Sequence, residues 1–242
     1  TIRIISPDGM VTTWAGVAGE SGAADSTDED PAGGRLGMPM GLALDRFGNI
    51  YVSDARFHTI RRISRERRIT TVAGSSGGGG SADGYGNRAS FLFPFGLSFD
   101  ASGNLWIADS DNHTLRRMTP DGHVTTEFGV ALERGTRDGN AETARFHRPT
   151  GLAFDSRGIL FVVDANSHTV RRISPEGEVA TVAGRAGERG YQNGTGSVVR
   201  FDYPFGIASG ANGLLYVADM LNHAIRVGTE EQFGVRGRGA RR

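Results

Sequence analysis

The chain has 242 residues, enough for one domain with a sizeable core. Its 27 cationic residues are all Arg, balanced by 27 Asp and Glu, so no net field favours nucleic acid or a membrane surface. The lack of Lys removes Schiff-base chemistry, and the lack of Cys removes disulfides, thiol nucleophiles and Cys-ligated zinc, leaving the compartment open. No apolar run approaches ~18 residues, so no membrane insertion is expected.

Thr1 to Gly16 reads as a hairpin turning at Pro7-Asp8-Gly9, and it matches Thr114 to Thr126. It is the outer half of a blade, residues 1–16, starting in mid-repeat without a Met. A long loop follows to Pro39, carrying Asp25, Asp28, Glu29 and Asp30. Oxygen ligands of this kind suit Ca²⁺, but the spacing fits no calcium loop, and a solvated acidic loop is the plainer reading.

Three full repeats then occupy 40–94, 95–149 and 150–204, with a shorter one at 205–228. Pro39, Pro94, Pro149 and Pro204 recur every 55 residues, as do Asp54, Asp109, Asp164 and Asp219. The third repeat shows the pattern best. Strands are expected at Gly151–Asp155, Leu160–Asp164, Thr169–Ile173 and Glu178–Ala183, followed by a Gly-rich loop of about 20 residues. Phe91, Phe146 and Phe201, with Leu36 in the first loop, stand three residues before each Pro and are expected to plug the loops between blades. Thr229 to Phe233 makes a poor fourth strand, and 229–242 is a basic Arg/Gly tail expected to be disordered. A fixed period with four short strands per unit predicts an all-β fold, a β-propeller of four-stranded antiparallel blades. About four blades are expected, three complete and one composite or partial. In the composite version the strand around Val11 completes the last blade, and the rival is a part of a larger ring.

The spelling Phe146-His147-Arg148-Pro149-Thr150-Gly151-Leu152-Ala153-Phe154-Asp155, then Leu160–Asp164, then His168-Thr169-Val170-Arg171, resembles the NHL repeat. The Asn-His pair stands in two copies, Asn112-His113 and Asn222-His223, while Phe57-His58 and Ser167-His168 replace it in the others. The resemblance implies a propeller. As to function it implies a protein-binding platform, an RNA-binding or extracellular sensor domain, or, in related propellers, a lyase or hydrolase.

The recurring Asp, His and Arg invite an acid–base reading. A catalytic site converges once, whereas Asp54/His58/Arg61, Asp109/His113/Arg116, Asp164/His168/Arg171 and Asp219/His223/Arg226 are dispersed over the repeats. They are expected to form a structural turn network in which Asp accepts from backbone or His. The first strands, such as Gly41-Leu42-Ala43-Leu44 and Gly151-Leu152-Ala153-Phe154, offer no His, Glu or Asp before the closing turn, so no catalytic residue, metal or cofactor is assigned. Tyr85, Arg137, Arg145, Arg189 and Tyr191 lie in the long loops and are the candidate contacts for a protein partner within a larger assembly. The reading is a non-catalytic protein-interaction or scaffold module. A lyase or lactonase-type enzyme is the alternative and RNA binding the second.

Overall fold

In a computed structural model, which describes residues 1–229, the repeat becomes a series of antiparallel sheets. The tail beyond Thr229 lies outside the described residues. The strands are β1 (Ile2–Ile5), β2 (Val11–Ala15), β3 (Pro39–Leu44), β4 (Ile50–Asp54), β5 (Thr59–Ile63), β6 (Ile69–Gly74), β7 (Gly84–Tyr85), β8 (Pro94–Phe99) and β9 (Leu105–Asp109). They continue as β10 (Thr114–Met118), β11 (His123–Phe128), β12 (Pro149–Phe154), β13 (Leu160–Asp164), β14 (Thr169–Ile173), β15 (Val179–Gly184), β16 (Pro204–Ser209), β17 (Leu214–Asp219) and β18 (Ala224–Thr229). Each recurring Pro opens a first strand, where its missing N–H costs least, and each recurring Asp closes a second. The fold class is all-β and of propeller type, as the period implies.

Two compact units divide the chain. The first holds Thr1–Asn112 and Arg116–Thr126. Here β3-β4-β5-β6 form one sheet, and β8 to β11 form the next with β7 added outside β11. Between these sheets lie Ile60 and Ala73 from one side, Leu97, Leu105 and Ile107 from the other, and Phe91 from the connecting loop. Phe91 is the expected plug, and it is fully buried.

At Gly41 the two sheets come close together. The Gly41 N–H donates to Ser53 Oγ, which in turn donates to the Phe95 carbonyl. A Cβ at Gly41 would clash with that carbonyl oxygen, so the close approach requires glycine.

Among the described residues the N-terminal hairpin is not paired with the strands of the last repeat. β1 and β2 form their own two-stranded sheet, and β16-β17-β18 form a three-stranded one. The hairpin instead covers the first blade. Ile2, Trp14 and Ala15 pack with Leu36, Ile50, Val52, Ile63 and Ile69, and Arg67 stacks its guanidinium 4.5 Å from the Trp14 ring. The side chains of Ile5 and Val11 lie outside this cluster and stay exposed.

The second unit runs from Glu127 onward together with His113–Leu115. It contains β12-β13-β14-β15 and the three-stranded sheet. Its core joins Phe161, Val163, Val170 and Val182 to Leu215 and Val217, with Phe201 again supplied by the loop.

Candidate interaction surface

The long loops owe their shape to one arginine per blade. Arg61, Arg116 and Arg171 point from the third strand into the protein and are fully buried, with Arg226 nearly so. Arg116 Nη1 donates to the Ser90 carbonyl and to Asp109, and Nη2 donates to the Ala82 carbonyl and to Asp83. Arg171 repeats this with the carbonyls of Arg145 and Arg137 and the carboxylates of Asp164 and Asp138. Arg61 uses Arg35, Ala24 and Asp25, with Asp54 at 3.8 Å. In the last blade Arg226 uses Arg200, Gln192 and Asp219, and Asn193 replaces the loop carboxylate. A planar fork of donors suits this task, since two loop strands and two acids converge on one group.

The loop acid then turns to the outer strand. Asp25, Asp83 and Asp138 each accept from the backbone N–H and the hydroxyl of Thr71, Thr126 and Thr181. The expected solvated acidic loop is therefore partly structural: Asp25 is bound to Arg61 and Thr71, and Asp28 pairs with Arg68.

The strand-ending aspartates accept from loop backbone. Asp54 takes the N–H groups of Gly37 and Met38, Asp109 that of Leu92, Asp164 that of His147, and Asp219 that of Asp202. Where the Asn-His pair is present, Asn112 and Asn222 donate to both the Asp and a loop carbonyl. Burial pushes the Asp109 and Asp164 carboxyls up to about 6, against the pull of Arg116 and Arg171.

The histidines act as acceptors through Nδ1. His58 Nδ1 accepts from the N–H of Phe93, His113 Nδ1 from Arg148 and His168 Nδ1 from Tyr203. Each thus ties its turn to the loop that opens the following blade. Both ends of the tie have left-handed backbone: φ is 57°, 61° and 58° at His58, His113 and His168, and 50°, 58° and 50° at Phe93, Arg148 and Tyr203. Such conformations cost of order 1–3 kcal/mol for a non-glycine residue and persist only when held. Accepting at Nδ1 puts the proton of the neutral ring on Nε2.

Burial lowers the pKa of His58 and His168 despite nearby Asp111 and Asp202, and burial followed by the charge of His113 lowers that of His147. The stabilisation from these rings is complete above the unfolded value near 6.5 and is lost as pH falls through the lowered folded values. Asp109 and Asp164 act with the opposite sign, their contribution being lost as pH rises through about 6. Melting against pH mixes the two, so the expected result is a site-specific one. In ¹H–¹⁵N spectra His58 and His168 should titrate below the ordinary histidine range with Nε2 protonated. Titration above that range would contradict the acceptor role.

The five candidate contacts do not form one group. Arg137 and Arg189 are exposed on their loops, and Tyr191 is exposed while lying 4.7 Å from the Arg226 guanidinium. Arg145 is committed inside its loop, donating to the Glu142 and Ala144 carbonyls and to Glu133. Arg35 and Arg200, at the same repeat position, do likewise. Tyr85 is elsewhere altogether. As part of β7 it pairs with His123 on the outer strand, with its hydroxyl 3.4 Å from Asp121, at the strand ends opposite the Asp–His turns. Arg134, also exposed, is a loop cation that belongs with Arg137.

Recurring antiparallel sheets pinned by buried Arg hubs define a repeat β-propeller protein. Residues 91–118 and 146–173 match the NHL repeat. The chain is 32% identical over 168 residues to NHL repeat-containing protein 2 of Bos taurus, covering 64% of this chain and 23% of that protein. The chain thus spans about a quarter of the length of the curated relatives it matches. A crystal structure of a protein of unknown function from Bacteroides thetaiotaomicron is similar with a TM-score of 0.65 and 25% identity, over 78% of this chain and 46% of that one. A catalytically inactive virginiamycin B lyase from Staphylococcus aureus, crystallised with quinupristin, shares the fold at TM-score 0.57 and 16% identity, over 95% of this chain and 60% of that one.

Proposed function

We propose that this chain is a non-catalytic scaffold that holds a protein partner against its long loops. The observation that supports it is the division of labour among the arginines. The repeated guanidiniums are buried and fix the loop backbones, while the side chains of Arg134, Arg137 and Arg189 stay exposed and make no hydrogen bond or ion pair among the described residues. Loops fixed in advance lose little freedom on binding, and exposed Arg and Tyr are the residue types that anchor interfaces. The Asp of each repeat accepts loop backbone N–H groups and faces a buried guanidinium, which fits a structural role better than a proton-transfer one. A net charge of zero gives no general attraction for nucleic acid.

The test is a triple variant, Arg137→Glu, Arg189→Glu and Tyr191→Ala, set beside Arg46→Glu at the opposite strand ends. Proteins co-purified with the unaltered chain should be lost by the triple variant and kept by Arg46→Glu. The reverse pattern would overturn the proposal, and so would turnover of a lactone or cyclic peptide by the unaltered chain.

A further inference from the structure

At the strand ends away from the long loops, the seam between the first two full blades opens into a cavity of about 300 Å³. It lies between the β3–β4 turn on one side and the β8–β9 and β10–β11 turns on the other, all in the first unit. Its size is at the lower end of small-molecule sites.

The turn Asp45-Arg46-Phe47-Gly48-Asn49 breaks the repeat in a telling way. Asp45 accepts from the N–H groups of Phe47 and Asn49 and from the Asn49 side chain, so the turn is held by position 45 and by backbone. Asp100 holds the following copy alike. Nothing in this geometry needs an aromatic at 47, and the corresponding residues are Ser102, Arg157 and Asn212. Yet Phe47 stands 63% exposed at the cavity mouth, with the Arg46 guanidinium 4.8 Å above its ring. Deeper in, Tyr51 and Phe99 meet edge to face at 5.1 Å and give the cavity an aromatic wall.

The polar groups of the cavity are unequal. Its two acids, Asp45 and Asp100, are already saturated, Asp100 also taking the Trp106 indole N–H. Its two cations are not. Arg62 lies across the strands from Tyr51 and donates a hydrogen bond to its hydroxyl, and its Nε is buried without an acceptor among the described residues. Arg46 has its ring stack and, among the described residues, no acceptor, and a third guanidinium, Arg65, packs over Gly48, where a Cβ would meet its Nε at 2.7 Å. Aromatic walls and unmet cationic donors call for a flat ring bearing an anionic oxygen pair.

We propose that this cavity is a binding site for a small aromatic carboxylate, with the ring between Phe47 and the Tyr51–Phe99 wall and the carboxylate on Arg62 and Arg46. It is separate from the long-loop surface, and its test does not depend on a protein partner. Calorimetry with indole-3-acetate, the neutral indole-3-acetamide and cationic tryptamine, on the whole chain, reads the chemistry directly. Indole-3-acetate should bind saturably, the amide about tenfold more weakly, as expected for losing one charge-assisted hydrogen bond, and tryptamine not at all. Phe47→Ser, which installs the residue of the next repeat, should weaken the acid about tenfold at an unchanged melting temperature. Arg62→Gln should remove the preference for acid over amide. Equal binding of acid and amide, binding that survives both variants, or no binding of the acid at millimolar concentration would each overturn the proposal.

Discussion

Arg116→Ala should cost about 3–5 kcal/mol, a large share of the ~5–15 kcal/mol that holds a typical domain. The side chain is fully buried and its two terminal nitrogens serve four acceptors, two carbonyls and two carboxylates. Truncation would leave Asp109 buried without its cation, beside carbonyls of Ala82 and Ser90 that water cannot easily reach. Asp109 already sits near pKa 6 because burial disfavours its charge, so without Arg116 it should take up a proton and lose its hold on the Leu92 N–H. Arg116→Lys should recover little, since one ammonium cannot span four acceptors in a plane. Urea unfolding followed by circular dichroism measures both variants. A loss under about 1 kcal/mol for Arg116→Ala would mean that the hub does not organise the loop.

The hubs show what kind of information the sequence carries. The period, the strands and the Asp, His and Arg positions are legible because each repeat solves the same packing problem and so repeats the same residues. The loop acid of the hub is harder to read. Asp83 and Asp138 keep the period, but three extra residues in the first loop move its counterpart to Asp25, where it looks like one member of an acidic cluster. Asn193 hides the fourth behind a change of residue type. The histidine was legible as a turn residue but not as an acceptor. Its partner is a backbone N–H 35 residues away, and backbone groups leave no mark in the residue alphabet. The positive φ at Phe93, Arg148 and Tyr203 was equally silent, because none of these is a glycine. Tyr85 was misplaced for a related reason. Gly-rich spacing marks a loop without saying that it descends the outer strand and pairs there.

Phe91→Ala should cost about 3–5 kcal/mol, the range for removing a buried ring and leaving a cavity behind. Phe91 belongs to a loop, yet it is completely buried between Ile60 and Ala73 of one sheet and Leu97, Leu105 and Ile107 of the next. Its ring also lies 5.3 Å from the Arg116 guanidinium, so it forms one wall of the hub. That second contact gives the prediction its discriminating form. Phe91→Leu keeps most of the volume and should lose far less than Phe91→Ala, yet it removes the aromatic face from Arg116. Combining Phe91→Ala with Arg116→Ala should cost less than the two separate losses, because each variant already disturbs the group the other depends on. Denaturant midpoints for the four chains of this cycle supply the comparison. Strict additivity would mean that loop plug and arginine hub act independently, and that the blades are joined by packing alone.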